Sequence, residues 1–343
     1  MKRKLMWILG GAGVLLLLSV MVSLSLGAAH VPLTKVWSIL LDQVPLAGRL
    51  VSVPSGMEAE STIILDVRLT RVVLAILVGA ALALAGAGFQ GVLRNPLADP
   101  YTLGVATGAS VGAAFLILFG WQTAAGQWTV PAVAFATGML TLFGVLRLAS
   151  HEGKMELETL LLSGVVVQAF LGSAVSFMVS LSNNVVNEIV FWMMGSLSKR
   201  GWDYSLAMIP YLVIGIVVLL SYSRNLNLFA LGERQAAHMG VHVQRTKLVV
   251  LIVSTLLTAA AVSVAGVVGF VGLVVPHLVR LLFGPDYRIL MPVSAVVGGM
   301  YVLWSDTLAR LVLSPKEIPL GVVTAFIGAP FFAYLLRKRK MGR

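Results

Sequence analysis

Val72-Val-Leu-Ala-Ile-Leu-Val-Gly-Ala-Ala-Leu-Ala-Leu-Ala-Gly-Ala-Gly-Phe-Gln-Gly-Val-Leu93 runs for 22 residues without a charged side chain. A helix rises about 1.5 Å per residue, so roughly 20 apolar residues cross the hydrocarbon core of a bilayer. The stretch therefore reads as a membrane span. Gly79, Ala83, Ala87 and Gly91 recur within it at every fourth position and fall on one helix face. Small residues at that spacing let helix backbones approach closely. They predict a packing face, not a substrate site.

Working outward, eight more runs have the same character: Leu5–Leu26, Tyr101–Trp121, Val130–Ala149, Leu157–Leu181, Tyr204–Tyr222, Leu248–Val268, Ile289–Leu313 and Ile318–Leu336. Gly104, Gly108 and Gly112 repeat the small-residue spacing in the second of these. The run Phe270–Phe283 has only 14 residues and is counted as a short tilted span. Met1-Lys-Arg-Lys4 precedes the first run, but that apolar stretch is too long for a signal peptide and reads as a retained helix. The expectation is an all-α polytopic membrane protein of ten transmembrane helices, one domain over 1–343.

Composition agrees. Of 343 residues, 11% are charged and 58% are apolar, and the mean hydropathy is +0.95. Those values exclude a soluble enzyme, a disordered chain and a disulfide scaffold. With no cysteine there is no thiolate metal site and no thiol nucleophile. In a soluble chain the net charge of +11 would suggest nucleic acid; in a membrane chain it reports orientation. Ten spans with both termini in the cytoplasm put 17 of the 25 Lys and Arg residues inside, giving an inner surface of net +11 and a neutral outer one.

This topology leaves long outer loops at 27–66 and 182–203 and one long inner loop at 223–247. The second outer loop contains Val185–Leu197, a short amphipathic helix. The inner loop contains Leu228–Met239, read as a second one, with apolar Leu228, Leu231, Ala236 and Met239 and with Gly240 ending it. Such a loop is a plausible docking surface for a soluble partner. The phosphate-binding pattern G-x-x-x-x-G-K-[ST] is missing, since Gly153-Lys154 is followed by Met155. If ATP drives transport, another chain hydrolyses it.

Three sets of polar residues compete for roles. Asp306 lies within the ninth span, four residues before Arg310 on the same face. A structural pair is favoured over a proton-relay carboxylate, because coupled transport usually needs more than one intramembrane acid. His238 and His242 have helical spacing, but Gly240 separates them, no third ligand is close and no metal site is expected. Arg68 and Arg71 lie on the outer side, against the charge rule. They either snorkel to lipid head groups or, with Arg310, form a positive surface for acidic groups of a soluble partner.

At these residues the chain resembles the permease subunits of ATP-binding-cassette importers for iron–siderophores, heme and cobalamin. The resemblance rests on Arg68-Leu-Thr-Arg71, Leu77–Gly86, Gln90-Gly-Val-Leu-Arg-Asn-Pro-Leu-Ala-Asp-Pro100, Ala230-Leu-Gly-Glu233, Met239-Gly240, Gly269-Phe-Val-Gly-Leu-Val-Val-Pro-His277, Asp306-Thr-Leu-Ala-Arg310, Glu317-Ile-Pro-Leu-Gly321 and Gly328-Ala-Pro-Phe331. It covers the chain from about Asp66 to Leu336. Thr70 stands where the family often has proline, and Met239 where leucine is common.

The resemblance implies a multi-pass subunit of a bacterial cytoplasmic membrane, paired with a second copy or a paralogue. Two cytoplasmic ATPases would dock on the loop residues Leu231, Gly232, Glu233, Ala236, Met239 and Gly240. An extracytoplasmic binding protein would deliver the ligand to Arg68, Arg71 and Arg310. The chain itself would perform no bond chemistry and bind no cofactor, ATP and Mg being used by the ATPase. An iron–siderophore complex is the expected cargo, with heme or cobalamin as alternatives and an ion-coupled secondary transporter as the reading from another class.

Overall fold

The computed structural model describes residues 2–27, 31–43, 58–151, 154–182 and 184–341. Its helices, in chain order, are α1 (Lys2–Ser25), α2 (Leu33–Asp42), α3 (Glu58–Thr62), α4 (Leu69–Leu93), α5 (Val105–Leu118), α6 (Thr129–Ala149), α7 (Leu157–Leu181), α8 (Val186–Met194), α9 (Trp202–Ser221), α10 (Ser223–Phe229), α11 (Glu233–His238), α12 (Val243–Ala265), α13 (Val271–Phe283), α14 (Tyr287–Leu311) and α15 (Leu320–Met341). A π-helical turn at Ile63–Arg68 joins α3 to α4. A small antiparallel hairpin pairs Ser150 with Met155 and His151 with Lys154 between α6 and α7.

Each of the ten expected apolar runs contains a helix. Seven helical segments are long and apolar enough to cross a membrane, the longest being Glu58–Leu93; α5, α13 and the Leu320–Tyr334 part of α15 are shorter apolar helices. The run starting at Tyr101 is broken near its start. Pro100–Leu103 forms a 3-10 turn capped by Asp99, and Gly104 takes φ 77° before α5 begins. The stretch 27–66, expected as an outer loop, holds two helices, α2 and α3, and residues 44–57 between them lie outside the described residues. The expected Val185–Leu197 helix is α8.

The inner-loop expectation is corrected. Leu228–Met239 is not one helix, because Gly232 has φ 110° and separates α10 from α11. Only glycine adopts that conformation without a steric penalty. The predicted apolar face divides as well: Ala236 is buried, whereas Leu231 and Met239 are each 60% exposed.

The core forms around α4, which packs against α9, α12, α13 and α14. Nearly every α4 residue from Thr70 to Leu93 is buried. In lipid no hydrophobic force draws helices together, so close van der Waals packing must do so. The stripe of small residues supplies it. A β-carbon on Gly79 would overlap the backbone of Gly298 in α14, and one on Gly86 would overlap Gly272 in α13. Likewise Gly108 and Gly112 of α5 admit Thr141 and Thr137 of α6. By contrast, α7 leaves Leu162, Val165, Val166, Phe170 and Phe177 exposed, an apolar outer wall of the bundle.

Candidate functional site

Arg71 and Arg94 stand near the two ends of α4, about 34 Å apart along its axis at 1.5 Å per residue. Each belongs to a charged cluster.

At the first end, Arg71 reaches two carboxylates brought from far along the chain. Its Nε donates to Asp306 Oδ1 and Oδ2 at 3.0 and 2.9 Å. Its Nη1 and Nη2 donate to the two oxygens of Glu317 at 2.8 and 3.0 Å. Arg310, one turn beyond Asp306 on α14, pairs with Asp306 Oδ2 at 3.2 Å and donates to Ser23 Oγ of α1 at 3.1 Å. The Asp306 side chain is only 1% exposed. A carboxylate that deep is tolerable when cations and hydrogen bonds compensate it, and two guanidiniums do so here. The structural-pair reading of Asp306 and Arg310 therefore fits, with Arg71 as a third member; a relay would need a carboxylate less tightly held.

The expectation of three outward-pointing arginines is corrected. Arg68 is buried, and its Nη1 donates to the carbonyls of Leu24 and Ser25 at 2.6 and 3.3 Å. It thereby closes the C-terminal end of α1, where carbonyls lack helical partners and the helix dipole favours a cation. Arg71 and Arg310 face Asp306. The charge rule counts cations by their place in the sequence, and it does not register the acids 235 and 246 residues away that turn Arg71 inward. Glu317, 38% exposed, is the most exposed charge of this cluster.

At the other end, one carboxylate serves two cations. Glu233, the first residue of α11, pairs with Lys247 Nζ at 2.8 Å and with Arg94 Nη2 at 3.4 Å. The Lys247 side chain is 3% exposed and also donates to the carbonyl of Met155 at 3.3 Å. The Met155 N–H in turn donates to Gln244 Oε1 at 3.3 Å. Glu233 and Lys247 thus join three connections at the same end of the bundle: the α4–α5 turn through Arg94, the α6–α7 hairpin through Met155, and the loop carrying α11. Ala236 anchors α11 against the bundle, and Gly240 at φ 84° turns the chain toward α12. Leu231 and Met239 flank α11 and face away from the core.

Of the six loop residues singled out in the sequence, Ala236 and Glu233 hold α11 in place, Gly232 and Gly240 shape its ends, and Leu231 and Met239 form its exposed surface. Sequence reasoning missed two residues. Lys247 was only one of many inner cations, and Glu317 was quoted within a motif without a role. Neither has a local signal, since their partners lie elsewhere in the chain. A cavity of about 800 Å³ lies beside this end, lined by Gln90, Arg94, His277, Arg280 and Tyr287 among others.

Known proteins resemble this chain over most of its length. The chain is similar to the cobalamin import system permease protein BtuC of Halobacterium salinarum, with 46% identity over 83% of this chain and 76% of that one. It is 36% identical to the hemin transport system permease protein HmuU of Yersinia pestis, covering 95% of this chain and 96% of that one. A solved structure described as an inward-facing conformation of a metal-chelate type ABC transporter superposes with a TM-score of 0.83 and 33% identity, over 96% of this chain and 99% of that one. The chain is accordingly a permease, not an enzyme, and a multi-pass protein of the cytoplasmic membrane. The sequence model of the FecCD transport family matches residues 15–338, and with relatives this close over most of its length the chain belongs to that family.

Proposed function

We propose that this chain is the membrane-spanning subunit of an importer that carries an iron–siderophore complex into the cytoplasm, driven by ATP hydrolysed on two separate ATPase subunits. It works beside a second permease subunit and receives its cargo from an extracytoplasmic binding protein. On this reading the chain crosses the membrane ten times with both termini inside, so that the Glu233 cluster would lie in the cytoplasm and the Asp306 cluster outside. Seven long apolar segments support it, and it counts the three shorter apolar helices as spans as well.

The observation that carries the reading is the exposure of Leu231 and Met239, each 60%, on either side of a helix whose first residue is clamped by a buried lysine. Exposed apolar residues grouped on a polar loop mark a protein contact. A rigidly held contact can pass displacement inward to α4, α7 and α12. ATPase closure would push this loop, and the pathway would switch its opening from one side to the other. At the outer end, an acidic group of the delivery protein would compete with Glu317 for Arg71. A large chelate needs a wide route with little fixed charge, which suits a chain with 11% charged residues.

The test is uptake into vesicles holding the permease, the ATPase and the binding protein, with ion gradients collapsed and ATP supplied. Uptake of an iron–siderophore complex, with heme and cobalamin carried poorly, is the expected result. Uptake that needs an ion gradient and ignores ATP removes the reading. Preferential uptake of heme or cobalamin changes the cargo alone.

A further inference from the structure

We propose that the recess between α6, α9 and α12 holds one phospholipid molecule, with an acyl chain in an apolar groove and its phosphate at Arg200. The groove encloses about 370 Å³ and is walled by Trp128, Phe135, Ala207, Met208, Tyr211 and Ala260. Its floor is tight: Met208 and Ala260 are 0% and 2% exposed. Phe135 and Tyr211 pair within the groove at 5.4 Å between centroids, and at one end Trp128 of the wall pairs with Tyr204 just outside it at 4.8 Å. Tyr204 and Tyr211 are seven residues apart on α9, so the ring pair at the mouth lies roughly 10 Å along the helix from the one inside.

Three observations select the occupant. First, the neighbouring face of α9 exposes Leu206, Ile209, Val213 and Val217, so the groove opens toward hydrocarbon. Second, its volume suits a slender chain, whereas a packed helix is about 10–12 Å across with its side chains. Third, a cation waits at its mouth. Arg200 stacks on the Tyr204 ring, its Cζ 4.6 Å from the centroid, one ring pair away from Trp128. The Arg200 Nε is buried with no hydrogen-bond partner among the described residues. Lys199, exposed, precedes it. Asp203 is the nearby acid; its carboxylate accepts from Gln127 Nε2 at 3.3 Å, and these three charged residues sum to one positive charge. Guanidinium matches phosphate oxygens in geometry and charge. Aromatic rings between an apolar groove and a polar head group suit the membrane interface.

Native mass spectrometry of the full chain, purified in mild detergent and supplied with phosphatidylglycerol, tests it. The wild type should retain one phospholipid per chain. Arg200→Gln should weaken retention about tenfold, in line with loss of one charge-assisted contact. Ala207→Phe, which fills the groove, should lower retention similarly while leaving any effect of inorganic phosphate unchanged. Equal retention by the wild type and both variants, or none by the wild type, overturns the proposal. Thermal stabilisation by inorganic phosphate alone, equal to that given by the lipid, also overturns it by making the site one for free anions.

Discussion

The two ends of α4 handle charge in opposite ways. Around Arg71, two cations and two carboxylates from α4, α14 and the turn after it match one another, and Asp306 is almost wholly enclosed. Around Arg94, one carboxylate on a short loop helix is shared by two cations and keeps 28% exposure. A fully matched buried cluster resists rearrangement, because moving one member strands another in a low dielectric. Here the buried Lys247 holds the shared carboxylate, while the longer contact to Arg94, itself 41% exposed, can open at little cost. The first end is built as a fixed clasp and the second as a joint, as the proposed drive from the second end would require.

That contrast can be broken most severely at Asp306. Asp306→Asn leaves two buried guanidiniums facing each other with only Glu317 to balance them, and should cost about 3–5 kcal/mol. Thermal unfolding in detergent would show it as a large fall in melting temperature; an unchanged melting curve would mean the clasp is not one. Lys247→Met should cost less, about 1–3 kcal/mol, since Glu233 keeps Arg94 and reaches water. Its larger effect should be on coupling: the ATPase still co-purifies while transport falls. Normal transport in that variant would show that the joint passes nothing on. Glu317→Gln should have the smallest effect on stability, at most about 1 kcal/mol for a carboxylate this exposed. Freed from its competitor, Arg71 should then bind the delivery protein more tightly in a titration; weaker binding would refute the competition.

Much of the bundle was legible because about twenty apolar residues in a row leave few alternatives to a helix. The small-residue stripes were legible for a similar reason, as Gly79 and Gly86 bear directly on Gly298 and Gly272. Breaks within runs were harder. Gly232 and Gly104 look like any other glycine in this glycine-rich chain, and only their positive φ angles show that helices stop there. The clusters were the least legible. Arg71 looked like an outward cation because Asp306 and Glu317 are distant in sequence, and Lys247 looked like one more inner charge because its partner Glu233 sits across a turn. Pairing across a fold carries no local signature.

The central position of α4 has a consequence for how the protein is made. This helix leaves the ribosome early, yet its principal neighbours, α9, α12, α13 and α14, all begin at Trp202 or later. Until they are synthesised it must wait in the bilayer among lipids that its small side chains hardly engage. Completion of the bundle is therefore a late capture event, in which an already inserted helix is drawn out of the acyl chains and enclosed, and substitutions along the Gly79–Gly86 face should harm biogenesis before they harm transport.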